Sequence, residues 1–252
     1  MSTPPQQPKG REAITEDLRR RIAEGDVGDE GRLAGSEQEL ADHYGVNRLT
    51  MRAALTQLRT DRLIETRRGR DGGIFAVKWR PIPRVSPQRL SAEQRTSGRS
   101  IWDIELDGRP YEVRDIQIEQ LPAPERVARS LELEPGALVW RRYRRFFVEG
   151  VPVQFAESFL PAGLVEGSRI TQIDSGPGGT PARLKELGHE PVRHREELRS
   201  RAATATEREK LALPMDAGVL DIVRVAWDAS GLPVERTEMI LDASRYLLAY
   251  EF

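Results

Sequence analysis

Ser36 to Leu58 is the segment that most constrains this chain, because the signals that start, stop and restart a helix follow one another there at close spacing. Ser36, with Glu39 three residues on, predicts a capping box at the start of a helix that turns Leu40, Ala41 and Tyr44 inward. Gly45 ends that helix. Asn47 then predicts the cap of a second helix, whose buried face is drawn by Met51, Ala54, Leu55 and Leu58. Two helices this short, joined at a glycine, make a helix-turn-helix. Arg48 and Arg52 stand four apart on the exposed face of the second helix, near the end that such a motif inserts into a major groove.

The flanking residues complete a unit. Ile14, Leu18 and Ile22 lie on one stripe of a helix over about residues 11–24, ending near Gly25. Beyond the helix-turn-helix, Leu63 to Arg67 and Ile74 to Val77 are strand-like runs separated by Arg68-Gly69-Arg70-Asp71-Gly72-Gly73, a hairpin in the place of a wing. Arg68 at its tip is a candidate for minor-groove or phosphate contact, against a merely solvated turn, and Gly69 lets the backbone come close to a groove. Asn47 and Thr50 either touch phosphate or serve only to start their helix.

Charge supports a phosphate partner by its distribution rather than its sum. The 252 residues carry a formal net charge of -1. Acidic residues dominate from Glu12 to Val46, whereas from Asn47 to Arg80 the chain holds Arg48, Arg52, Arg59, Arg62, Arg67, Arg68, Arg70, Lys78 and Arg80 against Asp61, Glu65 and Asp71. No cysteine occurs, which excludes disulfides, Cys-ligated metal and thiol catalysis. His43, His189 and His194 show no metal spacing, so neither metal nor cofactor is expected. The first ten residues, with Pro4, Pro5, Gln6, Gln7 and Pro8, are expected to form a disordered arm without an apolar signal core. No apolar run is long enough to span a membrane, and a soluble cytoplasmic protein is expected.

Length favours two domains. Residues 79–97, with Pro81, Pro83 and Pro87 among polar residues and no sustained period, read as a linker between a DNA-binding unit over 11–78 and a second domain over 98–252. In that second domain Tyr111 to Leu121 alternates as a strand, and Pro124 to Leu133 is helical. Leu138 to Phe147 turns at Glu149-Gly150 into Val151 to Leu160, and Val219 to Asp228 turns at Ser230-Gly231 into Val234 to Asp242. Helices are expected over about 181–187 and over about 206–213, the latter capped by Thr206 with Glu209 at its third position. Leu133-Glu134-Pro135-Gly136-Ala137-Leu138-Val139 is echoed by Leu213-Pro214-Met215-Asp216-Ala217-Gly218-Val219, which suggests a pseudo-symmetric sheet and an α+β fold.

Two features of this half suit a ligand. Arg142 and Arg144 share one face of their strand and Arg141 and Arg145 the other; guanidinium groups turned inward need an anion, either Glu235 or a ligand carboxylate. Ser175-Gly176-Pro177-Gly178-Gly179-Thr180 approaches a helix N-terminus, where Gly178, Gly179 and Thr180 either present N–H groups to an anionic ligand or form a plain loop.

The capping-box helix, the run Val46 to Leu55 and the wing ending Gly72 to Val77 resemble the winged-helix domain of GntR-type bacterial regulators over about residues 11–78. Pro124 to Gly136, Glu149-Gly150-Val151-Pro152-Val153 running to Leu160-Pro161, and Ser230 to Glu235 resemble the UTRA effector domain of the HutC subfamily. The resemblance implies a homodimeric, ligand-responsive transcription factor on double-stranded DNA, with an effector domain of chorismate-lyase-like fold. Where family members carry Ser-Glu-Arg, this chain has Ser36-Glu37-Gln38, so at Gln38 a positive DNA contact becomes a neutral amide. The family's Arg-x-Arg strand motif aligns as Arg144 and Phe146, its acidic residue on the next strand falls at Ala156, and Glu235 matches. These departures point away from a sugar phosphate and toward a less polar organic acid. The expected function is a repressor released from a pseudo-palindromic operator by a small organic effector. An enzyme of chorismate-lyase-like fold and a constitutive DNA binder stand as the alternatives.

Overall fold

The computed structural model describes residues 10–61, 63–69, 72–77, 81–86, 106 and 108–250. The expected arm up to residue 9, the wing residues Arg70 and Asp71, and most of the expected linker lie outside them. The chain divides into two compact units, Met1–Arg80 and Pro81–Phe252.

In the first unit α1 (Arg11–Glu24), α2 (Glu37–Tyr44) and α3 (Arg48–Thr60) pack around Ile14, Leu18, Leu40, Ala41, Tyr44, Met51, Ala54, Leu55 and Leu58. Ser36 Oγ accepts from the Glu39 N–H at 3.1 Å, but the Glu39 carboxylate reaches back to the Gly35 N–H at 2.8 Å. The expected capping box therefore closes one residue further out. Gly45 ends α2 in the left-handed region at φ 62°, and Asn47 Oδ1 caps α3 by accepting from the Thr50 N–H at 2.8 Å. The Tyr44 hydroxyl donates to Asp17 at 2.7 Å and ties α2 to α1; burial, and then Asp17, push it up to about 12.

Three strands form the wing sheet, with β1 (Arg32–Ala34) and β2 (Ile64–Arg67) flanking β3 (Gly73–Ala76). β1 was not foreseen, being too short to show a period. The paired glycines at the base of the wing are required by packing: a Cβ on Gly72 would lie 2.8 Å from the carbonyl oxygens of Arg67 and Gly69, and one on Gly73 would lie 2.6 Å from that of Ala34.

The second unit is built on a six-stranded antiparallel sheet. Its strands are β5 (Tyr111–Pro122), β6 (Leu138–Val148), β7 (Val151–Pro161), β8 (Arg193–Ala202), β9 (Gly218–Trp227) and β10 (Pro233–Asp242), in the order β5-β6-β7-β10-β9-β8. β4 (Ile82–Ser86) lies within the stretch read as linker, yet it pairs in parallel with β11 (Tyr246–Tyr250). Ile82 and Tyr246 then sink into the apolar cluster under the sheet, and the pairing holds β4 as a strand although Pro83 lies within it.

The strand order is symmetric about the β7–β10 pair. Shifting the sequence by eighty residues carries α4 (Glu125–Ser130) onto α7 (Ala205–Leu211), Leu138 of β6 onto Gly218 of β9, and the β5 segment onto β8. β8 was missed because Arg193 to Ala202 is nearly all polar and shows no apolar alternation; the repeat was the signal that could have found it. Two helix limits are also corrected. α4 stops at Ser130, ahead of Glu132 at φ 53°, and the cap of α7 falls at Thr204, two residues earlier than expected. Thr204 caps α7 in a complete box with Glu207, whose carboxylate Arg201 grips at 2.6 and 2.7 Å.

Candidate DNA interface and candidate effector site

Arg48, Leu49, Thr50 and Arg52 occupy the first turns of α3. Glu37, at the start of α2, gathers the arginines of α3: Arg52 Nε lies 3.2 Å from its carboxylate, Arg59 Nη2 3.1 Å, and Arg48 Nε 4.0 Å. Burial would raise the Glu37 carboxyl, but the bonds from Arg52 and Arg59 outweigh it and hold the group below the usual carboxylate range. The two candidate base-reading arginines thus leave one acidic anchor, with their side chains more than half exposed. Asn47 and Thr50 are both engaged at the helix start, the Thr50 hydroxyl donating to Asn47 Oδ1 at 3.1 Å. Gln38 donates to Asp42 at 2.8 Å within α2.

Sequence reasoning passed over Leu49. It is 77% exposed between Arg48 and Thr50, an apolar side chain of the kind that contacts a thymine methyl group. On the wing, Arg68 and Gly69 are exposed, and Gly69 has φ 106° with open space where a side chain would project. Arg32 and Arg67 both lie over the Phe75 ring, at 6.0 and 4.1 Å, and Arg32 donates to the Gly72 carbonyl at 3.0 Å, which braces the base of the wing.

In the second unit the side chains of Arg142, Arg144, Ser158, Thr237, Arg224 and Glu235 share one face of the sheet. Strand register aligns Ile118, Arg142, Ser158, Thr237, Arg224 and Glu196 in one row across all six strands. On this face the row lies between two apolar clusters. One contains Phe146, Ala156, Ile222 and Met239; the other contains Leu160, Ala226 and Val234 packed on Val165 of α5 (Ala162–Val165), Ile170 and Leu184.

Arg142 is 2% exposed and gives its guanidinium to the backbone: Nη1 donates to the carbonyls of Ile170 and of Gln172, the latter at 2.6 Å, and Nη2 donates to Ile173 at 3.3 Å. Burial, then the neighbouring Arg144, push it down to about 10 against the pull of Glu235. Arg142 therefore turns both Nη groups to pinning residues 170–173 and keeps only its Nε unpartnered, which revises its expected role. Arg144 lacks a carboxylate partner among the described residues. Its Nη2 donates to Ser158 Oγ at 3.0 Å, its Nε is buried without a partner, and the residue directly opposite on β7 is Ala156. Burial lowers the Arg144 pKa, and Arg224 adds to the effect while Glu235 opposes it. Glu235, 4% exposed, accepts from Arg224 Nη2 at 3.2 Å.

Gly178 caps α6 (Gly179–Glu186) at φ 76°. The Gly179 N–H is spent on the Gly176 carbonyl at 3.1 Å, whereas Thr180 is buried with its hydroxyl unpartnered among the described residues. A cleft of about 360 Å³ opens on the opposite face of the sheet, between Arg126, Glu157, Arg201, Glu207, Asp221 and Glu238. Its charges neutralise one another, through Arg126 with Glu238, Arg201 with Glu207 and Asp221, and Arg141 with Glu157. The unbalanced charge, and with it the better case for a ligand, lies on the Arg144 face. Among the described residues no group of His, Cys, Asp and Glu could hold a metal ion.

A capped recognition helix beside a basic wing, in one chain with an α+β domain holding buried cationic side chains, defines a DNA-binding regulator with an attached sensory domain. Residues 11–74 match the bacterial regulatory proteins of the gntR family, and residues 107–247 match the UTRA domain. The chain belongs to the UTRA-domain regulators of the gntR family. It is 26% identical to an uncharacterised HTH-type transcriptional regulator of Streptomyces coelicolor, over 98% of this chain and 94% of that one. It is 25% identical to the HTH-type transcriptional repressor NagR of Bacillus subtilis, over 94% and 92%. PhnF of Mycobacterium smegmatis shares the fold with a TM-score of 0.60 at 22% identity, over 95% of this chain and 98% of that one. The family and the Streptomyces coelicolor and Bacillus subtilis relatives are transcriptional regulators, not enzymes. Among the described residues no helix is long and apolar enough to cross a membrane.

Proposed function

We propose that this chain is a HutC-type repressor that binds a pseudo-palindromic operator as a homodimer and is released from it by a small organic acid. The observation that carries the DNA half is the first turn of α3, where Arg48, Leu49 and Arg52 stand exposed on a helix fixed by the Asn47 cap and the Glu37 anchor. An arginine there reads guanine O6 and N7 bidentately, and Arg68 and Gly69 of the wing follow the backbone or the minor groove. The repressor reading follows the likeness to the repressor NagR of Bacillus subtilis. Arg144, Glu235 and the loop carrying Gly178, Gly179 and Thr180 receive the effector, and Arg142 holds that loop's approach in place. Because the two sites are linked, DNA weakens effector binding by the factor with which effector weakens DNA binding.

Binding of the full-length chain to its own upstream DNA at fixed salt, against a scrambled duplex, tests the reading. Selective, saturable binding should be lost in Arg48→Ala and Arg52→Ala. Equal weak binding to both duplexes, together with failure to enrich any sequence from genomic fragments, would overturn it.

A further inference from the structure

We propose that Arg224 is the second guanidinium of the effector site, closing with Arg144 on the oxyanion of a small carboxylic acid that has an apolar body. This deepens the effector reading above and rests on it. Arg144 on β6 and Arg224 on β9 are eighty residues apart and equivalent under the pseudo-symmetry of the sheet, so the two side chains approach the central strands from opposite sides. With neighbouring strands roughly 4.8 Å apart, β6 and β9 lie about 14 Å from each other, a gap that two arginine side chains span from either edge. Their contacts show that reach: Arg144 touches Ser158 on β7, and Arg224 touches Glu235 on β10.

The charges on this face do not balance. Glu235 is the one carboxylate, among the described residues, seen to act on both Arg144 and Arg224. Arg142 spends its two Nη groups on carbonyl oxygens, leaving only its Nε unpartnered, and Glu196 is committed to the buried Arg84. Arg144 and Arg224 each keep a buried Nε without a partner, which is costly unless an acceptor arrives. A carboxylate supplies acceptors in the planar geometry that guanidinium groups match. At position 146, where the resemblance places the second arginine of the strand, this chain has Phe146, and opposite Arg144 it has Ala156. Phe146, Ala156, Met239 and Ile222 make the adjoining surface apolar, so the ligand body that fits beside the anionic head is apolar as well.

Calorimetric and thermal-shift titration of the full-length chain with acetate, benzoate, 3-phenylpropionate and inorganic phosphate tests the clamp. Affinity should rise from acetate to the aromatic acids, and phosphate should bind more weakly than they do. Arg224→Met should weaken the aromatic acids by roughly tenfold or more, while Arg195→Met, which removes an exposed charge from the opposite face, should leave them unchanged. Because Arg224→Met strands Glu235 in the interior, the double variant Arg224→Met/Glu235→Gln, which restores the local net charge without the second guanidinium, is measured beside it and should still bind the aromatic acids more weakly than wild type. No binding of any acid to the wild type below roughly 10 mM, tighter binding of phosphate, or binding that survives both variants would each overturn the clamp. Failure of the regulator reading would show separately, as absence of operator selectivity in the wild type.

Discussion

Ser158 and Thr237 face each other across the central strand pair, hydroxyl to hydroxyl at 3.0 Å, at the pseudo-symmetry axis of the six-stranded sheet. Ser158 also accepts the one hydrogen bond that Arg144 makes among the described residues. Replacing Ser158 by Ala leaves both a buried guanidinium and the Thr237 hydroxyl short of a partner. A cost of about 1–3 kcal/mol is expected, larger than that of Thr237→Val. Urea denaturation of the two variants checks it, and equal costs would show that Arg144 does not depend on this hydroxyl.

Glu37 has two effects on DNA binding that pull apart. Its carboxylate orients Arg52 and Arg59, and it also places a negative charge next to the surface offered to phosphate. Glu37→Gln should raise affinity for any duplex while lowering the ratio of operator to scrambled binding by roughly fivefold, equivalent to about 1 kcal/mol of lost discrimination. Anisotropy titrations with both duplexes at one salt concentration separate the two effects.

Asn47 allows cap and contact to be distinguished. Its side chain accepts from the Thr50 N–H at 2.8 Å, so Asn47→Ala should cost about 1 kcal/mol of stability. Asn47→Asp keeps the cap and should restore that stability. If Asn47 also lies against phosphate, the aspartate variant binds DNA more weakly than wild type although it is equally stable; unchanged affinity would confine the residue to capping.

The Arg201–Glu207 pair sets an acid-dependent part of stability. Arg201, gripping with two bonds, holds the Glu207 carboxyl down to about 2 from its ordinary value of 4.5, helped by the Thr204 N–H. The folded value is the lower one, so the contribution is whole above pH 4.5 and is lost as pH falls toward 2. Its size is about 2–3 kcal/mol. The stability gap between wild type and Glu207→Gln, measured by urea unfolding followed through Trp140 and Trp227, should therefore be wide at pH 7 and narrow at pH 3.

Local chemistry in the sequence determined the first unit almost residue by residue. The Ser36 and Asn47 caps, the stop at Gly45 and the spacing of Met51, Ala54, Leu55 and Leu58 are each decided within one turn of helix, so they could be read without knowing what packs where. The hairpins at Glu149-Gly150 and Ser230-Gly231 were legible for the same reason, and the eighty-residue echo announced the symmetry of the sheet. Tertiary structure alone decided the rest. β8 is polar along its length and becomes a strand through pairing with β9, and β4 does so through pairing with β11, a partner more than 150 residues away. Sequence alternation placed Arg142 and Arg144 on one face, but only packing made the first a clamp on residues 170–173 and left the second short of a carboxylate. Arg224 had no local signal either. Its approach to Glu235 follows from strand order and register, quantities set by contacts distant along the chain.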